Sequence, residues 1–251
     1  MLAGIVCEQG LRESMEDTYY LDTNFAGQGW IFGGVFDGHR GKFAAQEAAH
    51  RLPQVFLEQL GCYKNPMQAF SVAYSDVADD LRSCYSGTTA TTFLIRDQTI
   101  YLSHVGDSRA LTIDKQDFSQ LSSDHRLENH DERTRIEQCG AQIFYPYIYQ
   151  DGQGIMLTRT LGDCDFKDLG VIDTPSQSEH AITQQDKTML LATDGLFDAL
   201  SNREIFQLTR NNHDPQKIAD SLLEEAMLNR MSPDNITILS INLQEIANLS
   251  S

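Results

Sequence analysis

The chain has 251 residues, 41% of them hydrophobic and 22% charged, enough apolar material for one substantial core. Its formal net charge of −17 lacks the basic footprint that nucleic acid or an anionic membrane surface requires of a partner. Acid excess suits cation binding, and it suits plain solubility at least as well. Five cysteines, an odd number without any C-x-x-C spacing, point to free thiols in a reducing compartment rather than a disulfide scaffold or a zinc site. No apolar run reaches membrane-spanning length. The N-terminus has no signal-peptide pattern, and Leu2 stands where myristoylation needs glycine. The expectation is a soluble, cytoplasmic, monomeric protein of one domain over 1–251, without flanking regulatory regions.

In chain order, Leu2 to Cys7 reads as a first strand, and Tyr19 to Leu21 belongs to a second. Between them lies G-L-R-E-S-M-E-D, with Arg12, Glu16 and Asp17. Ile31 to Gly41 (I-F-G-G-V-F-D-G-H-R-G) is a buried-strand pattern that runs out on Asp37, a carboxylate at a core edge where an unpaired charge is costly. Phe43, Ala44, Ala48, Leu52, Val55 and Phe56 then recur at helical spacing, interrupted only by Pro53. Asn65 caps a second helix that starts at Pro66 and carries Phe70, Ala73, Tyr74, Val77 and Leu81 on one face, so an αα-hairpin is expected.

From Gly87 the period changes to strands: Thr88 to Ile95, Thr99 to Val105 and Arg109 to Ile113, joined by short turns that favour antiparallel neighbours. His125 to Cys139 reads as a polar helix ending at Gly140, and Gln142 to Asp151 as irregular. Lys187 to Thr193 is a strand that stops on Asp194-Gly195. Asp214 and Pro215 open a helix, and Asn235 to Leu243 supplies the last strand after Asp234. Strands in runs and helices in pairs predict an α+β fold with antiparallel sheets.

Asp37, Asp107, Asp194 and Asp234 all lie where a strand meets a turn or begins. Two readings stand. The acids solvate loop ends, or strand ends that converge in space bring them to one pocket, where oxygen-only ligands suit Mg²⁺ or Mn²⁺.

The blocks S-M-E-D (Ser14 to Asp17), V-F-D-G-H (Val35 to His39), S-G-T-T-A (Ser86 to Ala90), H-V-G-D-S-R-A (His104 to Ala110), S-D-H (Ser123 to His125), R-T-L-G-D (Arg159 to Asp163), A-T-D-G-L-F-D (Ala192 to Asp198) and D-N-I-T (Asp234 to Thr237) follow in one order. In that order they resemble the metal-dependent protein phosphatase family, the protein phosphatase 2C type, across nearly the whole chain. The resemblance implies two packed antiparallel β-sheets flanked by helix pairs, with a two-metal site at one end. It implies that Asp37 bridges both ions, that Asp194 and Asp234 complete one, and that Glu16 and the Gly38 carbonyl serve the other. Asp107 and Asp198 match positions that hold a third, weaker ion in some members. Arg12 matches the phosphate-binding arginine and His39 the proposed general acid, while Asp17 and Asn235 stand behind the ligands.

The implied activity is Mg²⁺/Mn²⁺-dependent protein serine/threonine phosphatase, with a metal-bridging hydroxide attacking the phosphoserine or phosphothreonine phosphorus in line. A catalytically silent binding module and a phosphohydrolase of small phosphorylated metabolites are the alternatives. Blander roles stand beside the sharp ones: a surface Arg12, a helix-capping His39, an Asp107 that bonds its own turn. Asp124, His125, Asp163 and Arg159 read as structural, and Tyr145, Tyr147 and Tyr149 as loop packing, with substrate contact the lesser alternative for the tyrosines. Arg40 departs from the family, which usually has a small residue there; of two roles, tuning phosphate affinity and offsetting the acids, the second is expected. The variable flap, at about 142–173, matches poorly and looks short.

Overall fold

The computed structural model describes residues 1–248, and the strand Trp30–Phe36 shows how its layers arise. Side chains alternate along a strand. Ile31 and Val35 face one way, into a core shared with Phe93, Ile100, Leu102, Met189, Leu191, Leu239 and Ile241. Phe32 and Phe36 face the other way, against helix residues Phe56, Phe70 and Tyr74. A strand that is apolar on both faces therefore has a second sheet behind it and helices in front. Phe32, Phe56 and Phe70 pack with ring centroids 4.2 to 5.9 Å apart, and burying each contributes about 2–3 kcal/mol. Phe32→Ala would open a cavity in this layer.

One sheet runs Ser176–Ala181, Thr99–Val105, Ala90–Arg96, Trp30–Phe36, Thr18–Phe25; the other runs Ala3–Glu8, Ile236–Asn242, Thr188–Ala192, Arg109–Ile113, Phe118–Gln120. Every pairing in both is antiparallel. The helices Phe43–Tyr63 and Pro66–Asp80 cover the first sheet, and Asn202–Thr209 and Pro215–Glu224 cover the second. This is the expected α+β arrangement of two packed sheets between helix pairs. Asn65 accepts from the backbone N–H groups of Met67 and Gln68, as its place before Pro66 predicts. No helix among the described residues is long and apolar enough to cross a membrane.

Two expectations need correction. The polar helix spans only His130–Gln138. Asn129 caps it through the N–H groups of Asp131 and Glu132, while the His125 N–H is drawn off to the Gly106 carbonyl at 3.0 Å. The stretch read as irregular is a three-stranded meander, Gln142–Phe144, Tyr147–Gln150 and Gln153–Ile155. Helix Phe43–Tyr63 runs through Pro53, as the apolar spacing on both sides of it predicts. Sequence periodicity also gave no sign of the strand Ser176–Ala181, whose residues S-Q-S-E-H-A are those of a wet edge.

Antiparallel strands bring the end of Trp30–Phe36 beside the start of Ala90–Arg96. The Thr89 N–H donates to the Asp37 carbonyl at 2.9 Å, and the Asp37 N–H donates to the Thr89 hydroxyl at 3.0 Å. The chain then turns into a short ladder, Gly38–His39 on Gly87–Thr88 on Leu161–Gly162, which carries the site's rim.

Candidate active site

Asp37 opens onto a cavity of about 540 Å³ whose lining includes Arg12, Glu16, Gly38, His39, Arg40, Asp107, Asp194 and Asp234. Five segments distant in sequence thus meet at one end of the sandwich. The Asp37 carboxyl is held well above the usual carboxylate range, by burial first and then by the charges of Asp17, Asp194, Asp107 and Asp234. Asp194, the first residue of a one-turn helix Asp194–Phe197, is likewise pushed well up by burial and by Asp107 and Asp198, with Arg126 opposing. Like charges are being held together.

The loop that brings Glu16 to this cluster is laced down by Asn235. Its side-chain oxygen accepts from the Glu16 N–H at 2.9 Å, and its amide donates to the carbonyls of Gln9 and Ser14 at 2.7 and 3.1 Å. Glu16 itself accepts from the Ser14 hydroxyl and the Gly41 N–H. Gly38 lets this approach happen, because a Cβ there would overlap the Glu16 carbonyl. Behind Asp37, buried Asp17 accepts from the hydroxyls of Thr193 and Thr237, both at 2.9 Å. Burial still raises its pKa, to about 6.

Two arginines enter the cluster. Arg12 donates from Nη2 to Asp234 at 2.7 Å, and its side chain is 58% exposed. Arg126 pairs through Nε with buried Asp107, through Nη2 with Asp194 at 2.8 Å, and through Nη1 with Asp198 at 3.4 Å. Among the described residues no ion pair reaches Asp37 or Glu16.

On the rim, His39 Nε2 lies 2.7 Å from Oδ2 of fully buried Asp163, and Arg40 Nη1 donates to the other oxygen at 3.2 Å. Burial opposes ionisation of Asp163, but the charges of His39 and Arg40 prevail and lower its pKa. Arg40 also grips Asp165 with two bonds, at 3.0 and 2.6 Å. Gly87 clears the space, since a Cβ there would strike both Asp163 and His39.

The family model described as Protein phosphatase 2C matches residues 2–236. The chain belongs to the protein phosphatase 2C family. Membership makes it an enzyme of the metal-dependent phosphoprotein phosphatase class. Similar curated proteins include two from Oryza sativa subsp. japonica. "Probable protein phosphatase 2C 45" is 32% identical over 95% of this chain and 86% of that protein. "Probable protein phosphatase 2C 59" is 31% identical over 98% and 76%. The fold matches that of a serine-threonine phosphatase 2C from Toxoplasma gondii with TM-score 0.82 at 23% identity, covering 96% of this chain and 94% of the other. It matches a C. elegans sex determining protein equally well, at 24% identity over 98% and 66%.

The oxygen-only donors of this protein phosphatase 2C site suit a hard divalent cation. Asp37 supplies the deciding observation: a carboxylate among carboxylates, in no ion pair and with Arg12 acting on it only through space, is a place that a cation from outside the chain would complete. As the side chains stand, no three His, Cys, Asp or Glu among the described residues form a finished ion cage; Asp234 is turned to Arg12, and Asp107 and Asp194 to Arg126.

The other singled-out residues fall into place around this site. Asp107 meets Arg126, while its turn is held by the His125 ring, which accepts from the Gly106 N–H at 3.1 Å. Asp124 forms a two-bonded pair with Arg109, and Arg159 is bound to buried Glu132 and the Thr174 carbonyl. Tyr147 reaches the cavity, Tyr149 packs against Phe144, and the Tyr145 hydroxyl donates to Glu128. His39 does not cap the following helix; Lys42 before it makes no side-chain cap, and the Ala44 N–H donates to the Ser86 hydroxyl at 3.3 Å. Sequence reasoning missed Arg126, the pairing of Asp163 with His39, and the apolar wall of Ile155, Met156 and Leu157. No local signal carries these, because each depends on partners far along the chain.

Proposed function

We propose that the protein is a Mg²⁺- or Mn²⁺-dependent serine/threonine phosphatase of phosphorylated proteins, acting as a cytoplasmic monomer. The uncompensated Asp37 carboxylate at the cavity floor carries this reading. Two ions would be held with Asp37 between them, one by Asp194 and Asp234 and the other by Glu16 and the Gly38 carbonyl, with Asp107 and Asp198 available to a third. When bound, the ions supply an activated water and the positive charge that a phosphate dianion needs. The five cysteines are unpaired, which supports a reducing compartment.

The chain's own residues do the rest. Asp234 takes one of Arg12's five donors, and its exposed guanidinium can turn to two phosphate oxygens at once. As water attacks phosphorus, the bond to the serine or threonine oxygen breaks and its electron pair stays on that oxygen. A proton from His39 Nδ1 meets it, which an alkoxide leaving group requires. Nδ1 has no hydrogen-bond partner among the described residues, since Asp163 occupies Nε2. The apolar residues Ile155, Met156 and Leu157 in the cavity lining support a peptide rather than a small polar metabolite as substrate.

The test is hydrolysis of an aryl phosphate and of a phosphoserine peptide, with and without Mn²⁺, beside small phosphate esters. Chelator should abolish turnover, and the peptide should outcompete the metabolite esters. Turnover without metal, or full activity in Asp37→Asn, would overturn the reading.

A further inference from the structure

We propose that Asp163, braced by Arg40, is the positioning residue for His39. The inference rests on the reading of His39 as the leaving-group acid. Asp163 is 0% exposed, and each carboxylate oxygen is taken by a different partner: Oδ2 by His39 Nε2 at 2.7 Å, Oδ1 by Arg40 Nη1 at 3.2 Å. A buried carboxylate fixed at both oxygens is a rigid acceptor, and it pins the imidazole by one nitrogen. The other nitrogen, Nδ1, is then the one left for the cavity, so one contact sets both ring orientation and donor atom.

The surroundings are built for this contact. The absence of a Cβ at Gly87 leaves the space where the two side chains meet. Asp163 is anchored through its N–H to the Ser86 carbonyl at 3.3 Å, on the ladder that also pairs His39 with Gly87. Arg40 adopts a left-handed backbone, φ 59°, an uncommon conformation for a non-glycine residue. In it the guanidinium reaches Asp163, Asp165 and the face of the Phe166 ring, 5.3 Å from the ring centroid. Arg40 therefore does not offset the acids of the floor. It neutralises the pair Asp163 and Asp165 and keeps the first from moving.

A double-mutant cycle tests this. With a phosphoserine peptide, Asp163→Asn should lower kcat about 10- to 100-fold, and with an aryl phosphate about threefold or less, because aryl oxides leave without a proton. The Mn²⁺ dissociation constant, read by calorimetry, should stay within about twofold, as the pair lies off the carboxylates proposed for metal. In a His39→Ala background, Asp163→Asn should cost nothing further. Arg40→Gly, which keeps the backbone comfortable, should show the same substrate split at smaller size and serves if Asp163→Asn fails to fold. Equal losses on both substrates, or a full further loss in the His39→Ala background, would make Asp163 merely structural and overturn the proposal. If His39→Ala alone costs both substrates equally, the acid assignment fails first and the positioning role falls with it; that pattern differs from a failure of Asp163 alone.

Discussion

Asp37, half-buried, and Asp163, fully buried, lie at the same end of the molecule, and their surroundings treat them in opposite ways. Asp163 has a cationic or hydrogen-bonding partner on each oxygen and titrates below the ordinary range. Asp37 has carboxylates for neighbours, no ion pair, and titrates well above it. A buried charge that its own fold has compensated is finished; it holds something in place. A desolvated, half-buried charge left uncompensated costs stability, and a protein keeps it when something outside the chain completes it. The contrast separates a positioning carboxylate from one that awaits a cation.

The same substitution at both positions should break the pair apart. Asp37→Asn should bring activity to background and remove the rise in melting temperature that Mn²⁺ gives the parent protein. Metal-free, the variant should melt no lower than the parent, because a repelled charge has been taken out. Asp163→Asn should do the reverse. Mn²⁺ should still raise its melting temperature, while the metal-free protein loses about 1–3 kcal/mol for the weakened bonds to His39 and Arg40. Thermal melts with chelator and with Mn²⁺ read both. If Asp37→Asn destabilises the metal-free protein, the carboxylate is compensated within the chain and the contrast fails.

Arg126 stands between the two cases, since it pairs with both Asp107 and Asp194 yet leaves both raised by burial, Asp194 the further. Arg126→Met should cost the metal-free protein about 3 kcal/mol in urea denaturation, because buried Asp107 is left unpaired. Saturating Mn²⁺ should recover part of that loss if the arginine and a metal ion serve the same carboxylates. A deficit unchanged by Mn²⁺ would show that Arg126 acts on the fold alone.

The sequence displays one side of this contrast and hides the other. Asp37, Asp194 and Asp234 are visible because each terminates or precedes a run of β-forming apolar residues, and a strand end is a local pattern. The layers are visible for the same reason: Ile31, Phe32, Val35 and Phe36 are apolar at every non-glycine position of the strand, so both of its faces must be covered. Compensation is not local. His39 and Asp163 are 124 residues apart and Arg126 and Asp194 are 68 apart, so nothing in either neighbourhood marks the partner. Arg126 also falls in a polar stretch whose composition suits a helix, and a contact outside the stretch, from the His125 N–H to Gly106, keeps it extended. The flap meander was illegible because its strands are three or four residues long, too short for a period to show.

The smallest predicted effect concerns a third kind of buried ionisable group, one kept neutral. His104 and His125 stack with ring centroids 4.6 Å apart and planes 9° from parallel, beneath the turn that carries Asp107. Burial pushes the His125 pKa down to about 2, with His104 and Arg159 adding to it, and burial lowers that of His104 as well. The unfolded chain takes up these protons near pH 6.5 and the folded chain refuses them, so this stability is present above about pH 6.5 and drains away as pH falls. At pH 5 His125 alone accounts for about 2 kcal/mol. The floor acids work in the other sense: with raised folded values, Asp37, Asp194 and Asp17 lose stability as pH rises and regain it as pH falls. Metal-free protein should therefore show a shallow net dependence between pH 7 and 5. His125→Asn keeps an oxygen to accept from the Gly106 N–H. It should lower stability at pH 7 yet remove the histidine's share of the slope, so that the variant gains stability on acidification where the parent does not. Parallel slopes for the two proteins would mean that His125 accepts its proton without cost, and that the turn beneath Asp107 tolerates a charge.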